Sequence, residues 1–522
     1  MPVLLSVVMI LGIQIGRMIS YSNSKPSFFS QPANNTFDEV LNFIEAKFVD
    51  TVNVDELKNK AIEQLILQLD PHSSFIPASD LKGVNEMLDG NFEGIGIEFF
   101  TLKDTVTAIS IVSGGPAEKA GIMVGDKLIK VNDTLIAGVG ISDNEVMKKL
   151  RGHSGSKVKV TIKRNANNKL IDVTIVRGKI PLNSIDAFYM INSTSGYIKI
   201  NRFSSTTYTE FVSAITNLKK NGMKSLIIDL RGNGGGFLDA ACDVIDELLE
   251  QQKLMVYTKG RVYPRKDYNS RVLGNFEQGN VAILIDEGSA SASEIVAGAI
   301  QDWDRGIIVG RRSYGKGFVE SQLPLSDGSA LRLTIAKYYT PSGRCIQKPY
   351  GHDVHAYYDE IYHRFEDGEL MSKDSFRITD STKYFTSNGK TVYGGGGIIP
   401  DLFVPLDTTM IHNNYIKAIL DNNLIPPFVY NYCNSEKSKF KAYKSVNDFM
   451  ADQSFQNNLL AAFKLTLQNL SGIAGSNSTK SDQYILLQLK AYTAKQLFGD
   501  AGYYQVLNSQ DKTVLAALQA LK

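Results

Sequence analysis

The segment Glu287-Gly288-Ser289-Ala290-Ser291-Ala292-Ser293-Glu294 lies between an apolar strand and the start of a helix, and its residue types admit two readings. Ser291 with Glu294 three positions on is a capping box, which closes a helix N-terminus without any catalytic role. Small residues around a serine also let a substrate backbone approach, and the N–H groups of a helix start can stabilise an oxyanion. The two readings are compatible. A second segment, Gly310-Arg311-Arg312-Ser313-Tyr314-Gly315-Lys316-Gly317, matches the opening of a phosphate-binding loop, G-x-x-x-x-G-K. That loop next needs Ser or Thr for magnesium, where this chain has Gly317, and then a helix, where Phe318-Val319 reads as extended. Nucleotide binding is disfavoured on both counts. A lysine held between glycines and partly stripped of water suits a general base instead. The third segment, Asp229-Leu230-Arg231-Gly232-Asn233-Gly234-Gly235-Gly236, lacks the third glycine of a dinucleotide loop because Phe237 stands there. It reads either as a glycine loop offering N–H groups to a developing negative charge or as a plain tight turn, with Asp229 and Arg231 as a local ion pair.

Composition narrows the chemistry further. None of the six histidines lies between His153 and His352, so the part of the chain holding these segments has none. Ser–His–Asp catalysis would have to bring in a remote ring, such as His72 or His352, whereas a serine–lysine dyad uses residues already present. His72, in the turn Leu69–Ser74, reads as a structural hydrogen-bonder. Cys242, Cys345 and Cys433 are too scattered for a metal-ligand pair or a disulfide framework, so no metal and no cofactor is expected. A net charge of +2 without a dense Lys/Arg run gives no reason to expect a nucleic-acid partner. With 522 residues, 43% hydrophobic and 21% charged, the chain reads as a globular protein of three or four units.

The elements that must position these segments follow from periodicity. Residues 1–20 form a nearly unbroken apolar run until Arg17, close to the roughly 18–20 residues that span a bilayer. It reads as a membrane anchor, or alternatively a cleaved signal segment, followed by a polar tether over 21–35. Either reading makes the rest of the chain exported, with the periplasm as its expected location. Residues 36–84 carry helical periodicity. Residues 85–178 change to short strands around a helix at Asp143–Leu150, a compact β-rich module. Residues 179–405 alternate strand and helix, with strands at Ser225–Leu230, Val281–Ile285 and Ile307–Val309 and helices at Leu238–Gln251 and Ser293–Asp302. Residues 350–390 read as an irregular surface excursion, Ile398–Val404 as a strand returning to the sheet, and 406–522 as a C-terminal helical region. The fold class expected is α/β multidomain.

Taken together, Ser289–Glu294, Gln301-Asp302-Trp303, Gly310 and Tyr314-Gly315-Lys316-Gly317 resemble the C-terminal processing peptidases, or tail-specific proteases. The separation of 25 residues from Ser291 to Lys316 fits that family's nucleophile–base spacing and selects Ser291 among the three serines. The loop Asp229–Gly236, the turn Leu69–Ser74 and Gly394–Gly397 followed by Pro400-Asp401 are similar to further family landmarks. The resemblance implies a Clp protease/crotonase-like β/α core and an oxyanion hole made by the N–H groups of Gly236 and Ala292. The β-rich module is similar to a PDZ domain, which implies that an exposed substrate C-terminus binds as an added strand. Its carboxylate would sit on the loop Glu93-Gly94-Ile95-Gly96-Ile97, and the module would gate the site, Arg151 contacting the peptidase core. One position departs from the family. Where Gln follows the lysine by four residues, this chain has Glu320, and a carboxylate there favours the charged ammonium over the free base. The expectation is a serine endopeptidase with altered pH dependence acting on protein or peptide substrates. The competing readings are a catalytically impaired PDZ scaffold and a Ser–His exopeptidase or esterase. The N-terminal helices fit either a homodimer by exchange across a twofold axis or packing on their own core.

Overall fold

The computed structural model describes residues 36–522 apart from 103, 165–168, 352, 379, 409–412, 437–439, 441 and 469–477. The expected anchor, the tether and His352 lie outside the described residues. Among the described residues no helix is long and apolar enough to cross a membrane. The chain divides into two compact units, 1–65 and 66–522. In the first, the helix Thr36–Lys47 buries Leu41 and leaves Phe37, Val40 and Phe43 exposed. The helix Val54–Leu67 begins there and ends just past the boundary.

The second unit is built on a six-stranded sheet in the order Ile185–Met190, Ser195–Ile200, Ser225–Asp229, Asn280–Ile285, Ile307–Gly310, Leu402–Phe403. The first pair is antiparallel and the rest are parallel. Parallel strands need crossovers, and helices supply them. Because side chains alternate along a strand, each strand serves both faces. Ile198, Leu226, Ile228, Val281 and Ile283 pack with the helices Thr207–Lys220, Leu238–Asp246 and Ala292–Asp302. Tyr197, Ile227, Ala282, Leu284 and Val309 pack instead with Val514, Ala517 and Leu521 at the chain's end. The last helix, Lys512–Ala520, thus covers one face of the central sheet.

A second sheet joins Ser74–Ile76, Ala330–Tyr339, Leu254–Lys259 and Lys266–Asn269, with Phe318–Pro324 on the other edge of Ala330–Tyr339. Residues 74–76, expected within a helical region, are therefore a strand, and the helix that follows, Ala78–Asp89, runs past residue 84. The helix expected over Leu238–Gln251 stops at Asp246. Asp246 and Glu247 turn their carboxylates onto the N–H groups of Arg271 (2.8 Å) and Asn275 (2.7 Å). The excursion over 350–390 is not irregular. It holds the helix Val354–Glu366 and a hairpin, Lys383–Phe385 with Thr391–Tyr393. The strand Leu402–Phe403 does return to the sheet, parallel to Ile307–Gly310.

The β-rich module is a sheet of Ile97–Leu102, Thr105–Ile111, Lys127–Val131, Lys157–Lys163 and Leu170–Val176, closed over its own core by Asp143–Leu150. The chain enters and leaves it through one antiparallel pair, Asn91–Gly94 with Gly178–Pro181. Phe100 meets Tyr430 edge-on at 5.4 Å, and Glu98 faces Lys495 at 3.7 Å, so the C-terminal helices back the module's edge strand. A cavity of about 900 Å³ lies between them.

The packing of the last helix gives a test. Ala517→Asp puts a carboxylate against the buried sheet face and is expected to abolish soluble, cooperatively unfolding protein. Leu515→Asp, at a side chain 47% exposed on the same helix, should shift the thermal midpoint little.

Candidate active site

The three serines around the start of the helix Ala292–Asp302 differ in what they already hold. Ser289 is fully buried and its hydroxyl donates to the Leu230 carbonyl at 2.8 Å. Ser293 is equally buried and its hydroxyl donates to the Asn233 carbonyl at 2.9 Å. Both pin the helix start to the glycine loop. Ser291 is partly exposed and sits at φ +56°, ψ −114°. A residue with a Cβ pays about 1–3 kcal/mol for such a conformation, and it persists where the surroundings over-determine it.

The surroundings do so through Glu294. This carboxylate is completely buried and accepts four hydrogen bonds: from the N–H of Ser291 (2.8 Å), the Ser313 hydroxyl (2.5 Å), and the N–H groups of Gly315 (2.7 Å) and Lys316 (2.8 Å). It caps its own helix as the sequence pattern indicates, and the same carboxylate fixes the lysine loop. Burial pushes its carboxyl up to about 7 against the pull of these donors. The Tyr338 hydroxyl, also buried, shares its proton between the carbonyls of Lys316 (2.6 Å) and Ser291 (3.1 Å). Serine and lysine backbones are thereby tied together twice.

The glycine loop lies against the same turn. A Cβ on Gly235 would stand 2.8 Å from the Ser291 Cβ and 3.0 Å from the Ala292 nitrogen, so only glycine allows the approach. Gly236, at φ +144°, bridges to Phe203, whose carbonyl would collide with any side chain there. Asn233, fully buried, donates to the Ile200 carbonyl (3.0 Å) and accepts from the Gly235 N–H (2.9 Å). The Asp229–Arg231 ion pair is present at 2.6 Å. Burial alone would raise the Asp229 carboxyl, but the Arg231 guanidinium and the Lys199 ammonium hold it well below the usual carboxylate range.

Lys316 leads into the extended strand Phe318–Pro324, and its amine meets Glu320 Oε1 at 2.8 Å. The departure at position 320 is therefore in direct contact with the lysine. His72 does not reach the serine as a base would. Its Nε2 pairs with the Tyr357 hydroxyl at 2.8 Å, and its ring stands edge-on to Phe318 and Tyr357. Burial, and then the nearby Lys316 charge, push its pKa down to about 3, so the ring is neutral. The helix Val354–Glu366 backs the lysine loop: Arg364 donates to the carbonyls of Ser313 (3.2 Å) and Arg312 (2.7 Å). Tyr338, Arg364 and the second role of Glu294 join residues far apart in the chain, and no local pattern announces them.

In the β-rich module, Gly94, Ile95, Gly96 and Ile97 line a cleft of about 310 Å³ between the edge strand Ile97–Leu102 and the helix Asp143–Leu150. Arg151 lines it too, lies over the Phe92 ring and reaches Glu86 at 3.4 Å, on the helix Ala78–Asp89 outside the module. Among the described residues no group of His, Cys, Asp and Glu is arranged to hold a metal ion.

Comparison with known proteins meets this geometry. Residues 194–355 match the model of peptidase family S41, residues 94–175 that of the PDZ domain, and 415–499 a family of unknown function. A carboxy-terminal-processing protease of Bartonella bacilliformis is 34% identical over 331 residues, which are 62% of this chain and 75% of that protein. A probable CtpA-like serine protease of Staphylococcus aureus is 33% identical over 314 residues, 60% of this chain and 62% of its own length, just under two thirds. A solved photosystem II D1 C-terminal processing protease is 28% identical, covering 60% of this chain and 89% of its own, at a TM-score of 0.35.

Two measurements test the site's framework. Glu294→Gln keeps one acceptor oxygen and leaves two donors unpaired. It should cost roughly 1–3 kcal/mol for each in urea unfolding, with at least a tenfold loss of any activity at the site. For His72, the unfolded ring takes up a proton below about pH 6.5 and the folded ring does not until about 3, so stability is lost as pH falls through that window. Glu294, raised, has the opposite slope, its contribution being lost as pH rises through about 7. His72→Asn removes only the histidine's part and should raise stability at pH 5 relative to pH 7 by about 1–2 kcal/mol compared with the unsubstituted chain. An unchanged difference would count against a neutral buried His72.

Proposed function

This chain belongs to peptidase family S41, that of the carboxy-terminal-processing proteases, and on that premise we propose that it is a serine endopeptidase working through a Ser291–Lys316 dyad. The Ser291 hydroxyl attacks the scissile carbonyl while the Lys316 amine takes its proton. The tetrahedral oxyanion sits on the N–H groups of Gly236 and Ala292. Lys316 returns the proton to the leaving amine, and water then hydrolyses the acyl-enzyme by the same route. The observation that carries the reading is the Glu294 clamp, which fixes the backbones of Ser291 and Lys316 to one buried group. Ser291 is also the one serine of the three not committed to the glycine loop by a bond to its carbonyls.

The dyad needs a free amine, and the Glu320 contact holds it as an ion pair. Glu320 must release the amine before turnover. That contact is also the observation favouring an impaired scaffold, and one experiment separates the two. Full-length protein digesting an unfolded protein is expected to lose at least a hundredfold in rate on Ser291→Ala and on Lys316→Ala. Equal rates in wild type and both variants would sink the dyad. Glu320→Gln is expected to raise the rate, since an amide does not hold the amine as an ion-pair partner. An unchanged rate would show that Glu320 does not govern the lysine.

Substrates are proteins or peptides with exposed C-termini, laid as an extra strand along the free edge of Ile97–Leu102 with the carboxylate on the N–H groups of residues 93–97. Amidating the C-terminus of a model substrate should raise KM and leave kcat nearly unchanged. We place the enzyme outside the cytoplasm, anchored by residues 1–20, on the strength of that apolar run.

A further inference from the structure

The glycine loop is held from a part of the chain that lies beyond the S41 match. Arg231 stands at the loop's base. Its Nη2 donates to Asp229 at 2.6 Å, and its Nη1 donates to Asp511 Oδ2 at 2.8 Å. The Arg231 carbonyl accepts from the Lys199 ammonium. Asp511 is the N-cap of the last helix, where its other oxygen, Oδ1, accepts the N–H groups of Thr513 and Val514, each at 2.9 Å. The helix is fixed in turn by Val514, Ala517 and Leu521 on the sheet. Just before it, Asn508 donates to the Tyr189 hydroxyl at 2.7 Å, and the Tyr504 hydroxyl donates to Asp186 at 3.0 Å. Asp511 is therefore a carboxylate on a rigid support.

We propose that Asp511 is a positioning residue for the oxyanion loop, acting through Arg231, so that the chain's last helix is part of the catalytic apparatus. The inference rests on the role assigned above to Gly236. Asp229 grips the guanidinium through Nε and Nη2, and Asp511, on another element, takes Nη1, so the group is held on three nitrogens from two sides. From Arg231 the backbone passes through Gly232 and Gly235, both at positive φ, to Gly236. Asn233 pins the middle of that path to the Ile200 carbonyl, and Arg231 fixes the end at which it leaves the strand. An oxyanion donor works only when aimed within tenths of an ångström, and a misplacement of about 1 Å costs on the order of a hundredfold.

The test uses the full chain. Asp511→Asn keeps the Oδ1 acceptor, and asparagine caps helices as well as aspartate does. Only the charge facing Arg231 is replaced by an amide. Expected is a kcat per folded molecule lowered roughly tenfold or more with KM nearly unchanged, at a thermal midpoint close to wild type. Arg231→Lys should lower kcat in the same way, and the double variant no further than the worse single one. A wild-type kcat in Asp511→Asn, a loss that only tracks the folded fraction, or additive losses in the double variant would each overturn the proposal. Lys512→Ala, which removes an exposed pair with Asp407, is expected to leave kcat unchanged. Ser291→Ala run alongside separates the two claims. If it is inactive while Asp511→Asn is fully active, only the positioning role falls. If Ser291→Ala is active, the dyad falls.

Discussion

The site depends on one buried carboxylate that has no charged partner among the described residues. Glu294 holds four donors, two from the turn it caps and the loop beside it, two more from the residues flanking and including the lysine. A carboxylate in apolar surroundings is costly, and here the donors are what make the cost bearable. The same four donors would be orphans without it, so neither side of the arrangement is stable alone. That mutual need is why the nucleophile turn, the lysine loop and the helix behind them form together. It also explains how Ser291 can sit at φ +56°. The strain is small beside the desolvation penalties that would follow from relaxing it.

Around this clamp the helices on the two faces of the central sheet have different duties. Those packed with Ile198, Leu226 and Ile283 include the helix that begins directly after Ser291 and the one that follows the glycine loop. The cover on Tyr197, Ile227 and Leu284 comes from residues near the end of the chain, after the 415–499 region has intervened. Residues 514–521 thus add to the packing of the peptidase sheet, and sequence-distant contacts of this kind are slow to form.

Much of the layout was legible because it rests on local pattern. Period-2 strands and glycine-ended turns placed the sheet and the β-rich module, and the capping box placed the helix start after Ser291. The misses have physical causes. The helix Val354–Glu366 buries only Tyr357 and Arg364, so it shows no apolar stripe to read. The helix after the glycine loop ends at Asp246 because two acidic side chains leave to bind backbone 25 and 28 residues away. Glu294 was visible as a cap, since its bond to Ser291 is local, while its hold on Ser313, Gly315 and Lys316 is a tertiary fact. Asp511 reaches Arg231 across 280 residues, and no periodicity encodes that.

The paired strands at the neck of the PDZ module, Asn91–Gly94 and Gly178–Pro181, have a topological meaning. Asn91 lies opposite Pro181 and Gly94 opposite Gly178, so the host chain departs and resumes at nearly the same point in space. To the peptidase, everything between those residues is a loop whose ends are already closed, whatever its length or content. A module bounded in this way folds on its own core and can be exchanged for another that offers the same two strands.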